Sequence, residues 1–179
     1  MSSWTMIQAR KKRLDEELEE IKGEIIENKE LDSNALELYY KISVLIDDVI
    51  EERGKGEWES VYRTLLAYKL QQDGCSVREE KIIYSDSKEY TMRLDIQLNT
   101  DQVIIEMKKG RLNPKHLYQL IKYMDSTGIG IGFLVIIGRS LEVVMLIEQI
   151  EDGEKEFYYY DNKNLRRMMK QEWDKVEYK

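Results

Sequence analysis

The sequence predicts a mixed α/β (α+β) domain, a single sheet flanked by helices and preceded by a helical arm. Three observations carry this. Apolar residues recur at helical spacing as far as residue 72, and from residue 77 the pattern turns to strand-like alternation. One well-punctuated helix then separates that β-meander from a continuously apolar strand and a further strand pair. At 179 residues the chain suits one domain with a sizeable core.

Residues 4–30 read as a long helix. Leu14, Leu18, Ile21 and Ile25 form a narrow apolar seam on a charged rod, and Lys12–Glu16 and Arg13–Glu17 are spaced to pair along it. "LDSN" at 31–34 is a helix start, with Asn34 and Glu37 resembling a capping box. The helix from about 35 to 53 carries a second stripe, Leu38, Ile42, Leu45 and Val49. Two adjacent seams predict an antiparallel hairpin, a dimerising coiled coil, or simple packing on the domain. In the second case residues 1–53 would dock a homodimer or a partner protein.

"RGKG" at 53–56 breaks that helix. The next, about 57–72, has Trp58, Val61, Tyr62, Leu65, Leu66 and Leu70 on its apolar face, with Gly74 ending it. Strands follow at 77–84, 90–98 and 103–108. "NPKHLYQLIKYMDSTG" is a helix with Asn113 as cap, Pro114 in the first turn and Gly128 past its end. "GFLVIIG" reads as a strand buried on both faces. "SLEVVMLIEQ" and "EKEFYYYD" form a strand pair joined through "EDGEK", and "NKNLRRMMKQEWDKVEY" reads as a closing helix. The expected division is an arm at 1–34, a core at 35–140, and strands with a helix at 141–179 completing the same domain.

The net charge of −7 argues against a protein coated in positive potential, but a local basic groove would still serve nucleic-acid binding. Cys75 is the sole cysteine, so a reducing compartment is expected. "MSSWTMIQARKKRLDEE" meets charge before any apolar run, unlike a signal peptide, and "IGIGFLVIIG" is too short to span a bilayer. The expectation is a soluble intracellular protein, of cytoplasm or nucleus, with no membrane contact. One histidine and one cysteine argue against a zinc site of the usual ligand types. His116 reads as a partly exposed helix histidine, "GIGIG" as a helix end, and the tyrosines of "FYYY" as sheet packing. Arg166, Arg167 and Lys170 would extend a basic surface that Glu172, Asp174 and Glu177 dilute.

The hairpin "RLDIQLNTDQVIIEMKKG" at 93–110 raises the chemical question. Alternation puts Met92, Leu94, Ile96 and Leu98 on one face and Arg93, Asp95 and Gln97 on the other. Pairing Leu98 with Val103 sets Asp95 opposite Glu106 and Arg93 opposite Lys108, unless a bulge intervenes. Two facing carboxylates disfavour joint ionisation unless a cation neutralises them, and Mg²⁺ uses one or two carboxylates plus water and phosphate oxygens. Lys108 shares their face and can steer a water or stabilise charge at phosphorus. An exposed strand face carrying Asp, Glu and Lys also arises without function. Three neighbours favour the chemical reading. Gln119 and Tyr123 share a helix face, and "GEWESVY" supplies Gly56, Glu59 and Tyr62. Lys108, Lys109, Arg111, Lys115 and Lys122 form an acid-free basic strip suited to phosphates.

Together these residues resemble the GxxExxY group of the PD-(D/E)XK nuclease superfamily, over about residues 36–138. Gly56, Glu59 and Tyr62 match the naming motif, Asp95 with Glu106, Met107 and Lys108 the acidic core, and Gln119 with Tyr123 a feature of RecB-like and λ-exonuclease-like branches. The resemblance implies a restriction-endonuclease-like αβββαβ core with a mixed sheet and a Mg²⁺- or Mn²⁺-dependent phosphodiesterase site acting on DNA. Asp95, Glu106 and the Met107 carbonyl would hold the metal, Lys108 would position water, and Glu59 would assist. Gln119 and Tyr123 would order the site, and Lys109, Arg111, Lys115 and Lys122 would contact nucleic acid. The alternative is a catalytically weak or silent module that binds nucleic acid or assembles through its helical arm.

Overall fold

The computed structural model of the chain describes residues 2–84, 91–99 and 102–169. In chain order the elements are α1 (Ser3–Lys22), β1 (Glu24–Ile25), α2 (Ser33–Arg53), α3 (Glu59–Gln72), β2 (Val77–Tyr84) and β3 (Thr91–Leu98). Then come β4 (Val103–Lys109), α4 (Pro114–Thr127), β5 (Ile131–Ile137), β6 (Leu141–Glu151), β7 (Glu154–Tyr160) and β8 (Leu165–Arg167). The strands form one eight-stranded sheet in the order β1-β8-β7-β6-β5-β4-β3-β2. Strands β4 and β5 are parallel, joined by α4 as a crossover, and every other pair is antiparallel. From α3 to β5 this is the expected αβββαβ order with a mixed sheet.

Helices cover both faces. On one side α2 and α3 bury Ile42, Ile46, Tyr62 and Leu66 against Ile105, Phe133 and Val135. On the other, α4 buries Leu117, Leu120, Ile121 and Met124 against Ile104, Leu134 and Ile136. The central strand β5 therefore feeds both cores, as its unbroken apolar run predicts. Its Gly132 is needed for close approach, since a Cβ there would lie 2.8 Å from Leu120 and 2.9 Å from Met124 of α4. Helix α4 starts and stops as read from the sequence, with Asn113 as N-cap, Pro114 in the first turn and Gly128 left-handed after the end. Among the described residues no helix is long and apolar enough to cross a membrane.

Four expectations are corrected. The first helix stops at Lys22, not residue 30: Gly23 (φ 79°) leaves the helix, and a Cβ there would sit 1.9 Å from the Arg167 carbonyl oxygen. That contact is possible because Glu24 and Ile25 join the sheet beside β8. The closing helix is replaced, over 165–167, by β8, which pairs with β1 and β7 and buries Leu165; sheet pairing outweighs local helical pattern there. Residues 170–179 of that expectation, including Lys170, Glu172, Asp174 and Glu177, lie outside the described residues.

The two seamed helices do not form a hairpin with each other. Ile21 of α1 is buried in the α4-side core, whereas the α2 stripe fills the opposite core. Helix α1 is tied down by Arg111 to Asp15 (2.9 Å) and by Arg166 to Glu19 (2.9 Å). Finally, N-capping of α2 falls to Asp32, which accepts the Asn34 N–H, instead of Asn34. The "FYYY" side chains do pack on the sheet, with Phe157 and Tyr159 in one core and Tyr158 in the other.

Candidate active site

The hairpin of β3 and β4 pairs Leu98 with Val103, Gln97 with Ile104 and Ile96 with Ile105, the register expected from the sequence. The ladder then stops where Asp95 and Glu106 come next. On the other flank of β3 the ladder with β2 also skips this level, where Glu80 has φ of 52°. Freed from both neighbours, β3 changes face. Ile96 and Leu98 point into the α2–α3 core, and Met92 and Leu94 into the α4 core. This corrects the expectation of four residues on one face: the alternation rule holds only while the ladder is intact. Arg93 accordingly does not pair with Lys108 but reaches Glu80 at 3.6 Å.

In place of main-chain pairing, the two acids clasp each other's strands. The Asp95 N–H donates to Glu106 Oε1 (3.2 Å), and the Met107 N–H donates to Asp95 Oδ2 (2.9 Å). Glu106 is 2% exposed, while the Asp95 side chain is 19% exposed and opens toward solvent. Burial first, and the charge of Asp95 second, push the Glu106 carboxyl well above the usual carboxylate range, with Lys108 pulling the other way. The pair is thus short of positive charge. Arg63 of α3 approaches from one side: its Nη1 lies 3.8 Å from Asp95 Oδ1, while the same side chain reaches Glu80 (3.1 Å) and Glu79 (3.8 Å).

Gln119 and Tyr123, one turn apart on α4, are hydrogen-bonded at 2.9 Å. Burial and the charge of Glu106 push the Tyr123 hydroxyl up to about 12, so the phenol stays protonated beside the acids. His116 is neutral by environment: burial, then Lys108, lowers it to about 4. Its Nδ1 accepts the Asn113 N–H and completes the α4 capping box, a capping role that the reading of it as a partly exposed helix histidine did not include.

Other expected residues are spread more widely. Glu59, the first residue of α3, accepts the Lys109 N–H at 3.0 Å, bracing the end of β4 instead of joining the acid pair. Tyr62 is fully buried and locks the α2–α3 turn, donating to the Gly54 carbonyl (2.6 Å) and accepting the Glu57 N–H (3.0 Å). The basic residues are engaged separately: Lys109 Nζ turns to the Glu57 carbonyl (2.7 Å), Arg111 to Asp15 of α1 (2.9 Å), and Lys115 and Lys122 ride on α4. Arg63 was not singled out from the sequence. Its signal was its place directly after Tyr62 and one helical turn from Glu59.

Among the described residues no group of three or more His, Cys, Asp or Glu is gathered to hold a metal ion. Two carboxylates from adjacent strands, one buried and cation-poor, with a main-chain carbonyl at Met107, make an all-oxygen donor set. That set fits a small hard cation completing its shell with water and phosphate oxygens.

A mixed sheet with the αβββαβ order and helices on both faces defines a restriction-endonuclease-like fold. A model of the PD-(D/E)XK nuclease superfamily matches residues 36–145, and the chain belongs to that superfamily. Most of its members are nucleases, and they generally use divalent cations such as Mg²⁺. No curated protein and no solved structure matches the chain.

Proposed function

We propose that this chain is a Mg²⁺- or Mn²⁺-dependent nuclease of the GxxExxY group that hydrolyses DNA phosphodiester bonds. The observation that carries the reading is the Asp95–Glu106 clasp: the buried Glu106 is held against a second acid and has no ion-pair partner among the described residues. Uncompensated, this arrangement costs stability, and a cation between the carboxylates relieves the cost. Asp95, Glu106 and the Met107 carbonyl would hold that cation. When bound, it supplies Lewis-acid stabilisation of charge on the phosphate oxygens.

The chain's own groups do the rest. Lys108, close enough for its charge to act on both Glu106 and His116, orients the attacking water and offsets charge gathering at phosphorus. The water loses a proton to solvent as its oxygen bonds to phosphorus, and the P–O ester bond opposite breaks, its oxygen taking a proton from solvent to leave as a hydroxyl. Gln119 and Tyr123 fence the acid pair from the α4 side and present protonated donors to it. Arg63 fixes the Asp95 rotamer from the α3 side, and Glu59 holds the strand end that carries Lys108. Lys109, Arg111, Lys115 and Lys122 supply positive potential for the phosphate backbone.

The test is incubation of the purified protein with linear and circular DNA, and with RNA, in Mg²⁺ or Mn²⁺, beside Glu106→Ala and Lys108→Ala. Metal-dependent cleavage by the wild type, lost in both variants, is expected. A wild type as inert as its variants while still binding nucleic acid would sink the nuclease reading and leave a binding module.

A further inference from the structure

We infer that the cleft between α1 and the connection from β4 to α4 binds the sugar–phosphate backbone of the nucleic-acid strand beyond the acid pair. The inference deepens the nuclease reading and rests on it for the class of ligand.

The cleft encloses about 520 Å³. One wall is α1, contributing Arg10 and Lys11, and the other carries Lys109 and Arg111. Against these four cations stands one acid, Asp15, already bonded to Arg111 at 2.9 Å. Arg10 and Lys11 are exposed and have no ion-pair partner among the described residues. In a chain of net charge −7, that local excess suits an anionic ligand, and a phosphodiester strand supplies evenly spaced anions. Ile7, Leu14 and Leu112 line the same cleft, giving apolar surface for sugar faces between the charges.

Continuity with the acid pair identifies the strand. His116 lines the cleft and feels the charge of Lys108, which also acts on Glu106. Lys109, which lines the cleft, directly follows Lys108 on β4, so a backbone held at Lys108 reaches the edge of the α1 cleft. The run Arg10-Lys11-Lys12-Arg13 sharpens the geometry. Its first two residues line the cleft, whereas Lys12 turns to Glu16 (3.9 Å) and Arg13 lies outside it.

The experiment is fluorescence anisotropy with short labelled single-stranded and duplex oligonucleotides, in EDTA so that neither hydrolysis nor metal enters. It compares wild type, Arg10→Glu/Lys11→Glu and Lys12→Glu/Arg13→Glu, the last two having the same net charge. The cleft variant is expected to bind about 10-fold or more weakly, with a single-strand salt slope shallower by about 1.4, two contacts at about 0.7 each. The Lys12/Arg13 variant should lose far less, and circular dichroism should show α1 intact in both. Equal binding by wild type and the cleft variant, an equal loss from both variants, or a wild type that binds no nucleic acid overturns the inference. A protein that binds through the cleft yet cleaves nothing in Mg²⁺ or Mn²⁺ supports the cleft while removing the nuclease reading.

Discussion

Replacing Glu106 by Gln should stabilise the metal-free protein while removing hydrolysis. Glu106 is 2% exposed, and its charged form is opposed by burial and by Asp95. Two like charges roughly 4 Å apart at the effective dielectric of a protein site repel by about 4 kcal/mol. The two main-chain N–H donors that the acids accept offset part of this, and Gln keeps the acceptor for Asp95 N–H while offering a donor to the Asp95 carboxylate. A net gain of about 1–2 kcal/mol is expected, or about 3–6 °C in Tm for a chain of this length. The sign in pH follows from linkage. The folded-state carboxyl is raised above its ordinary value of 4.5, so the wild-type penalty is absent below that pH and grows as pH rises. Thermal melts of both proteins in EDTA across acid to mildly alkaline pH would show curves that meet at low pH and diverge above. Adding Mg²⁺ at ten times its Kd should then stabilise the wild type alone, by about 1.4 kcal/mol. A variant that melts lower at every pH, or an equal Mg²⁺ shift in both proteins, would refute the clasp as a strained metal site.

Three further outcomes are expected. Tyr62→Phe strands two main-chain groups in the α2–α3 turn and should cost about 1–3 kcal/mol in urea denaturation; an unchanged midpoint would show that turn to be held otherwise. Gly23→Ala forces a Cβ against the Arg167 carbonyl, so the β1–β8 pairing should loosen, with a loss of about 3 kcal/mol and new protease sensitivity before residue 26. His116, lowered from 6.5 to about 4, contributes stability that is complete above 6.5 and lost as pH falls toward 4. With its partial exposure that is about 1–2 kcal/mol. His116→Gln should flatten this acid limb, and an identical limb in both proteins would exclude His116 as its source.

Local physics made much of the fold legible. The α4 caps, the doubly buried β5 and the hairpin register follow from Asn113, Pro114 and Gly128, from an unbroken apolar run, and from a turn of fixed length. Each is decided by residues close in sequence, where propensity and periodicity act directly. The Asp, Glu and Lys of the site were legible for the same reason, since one hairpin carries all three.

Contacts between distant segments decided the rest. Residues 24–25 and 165–167 became strands because each completes the other's hydrogen bonds at the sheet edge, a pairing across more than a hundred residues that no window reveals. The face change at Asp95 needed both flanking ladders to lapse at one level, and Arg63 entered the site only because α3 packs across β3. Residues close along the chain already marked out the Asp95, Glu106 and Lys108 of the candidate site. Tertiary structure decided how dry, how crowded and how cation-poor the Asp95–Glu106 pair is, because desolvation and charge sum over everything packed around a group, not over its neighbours in the chain.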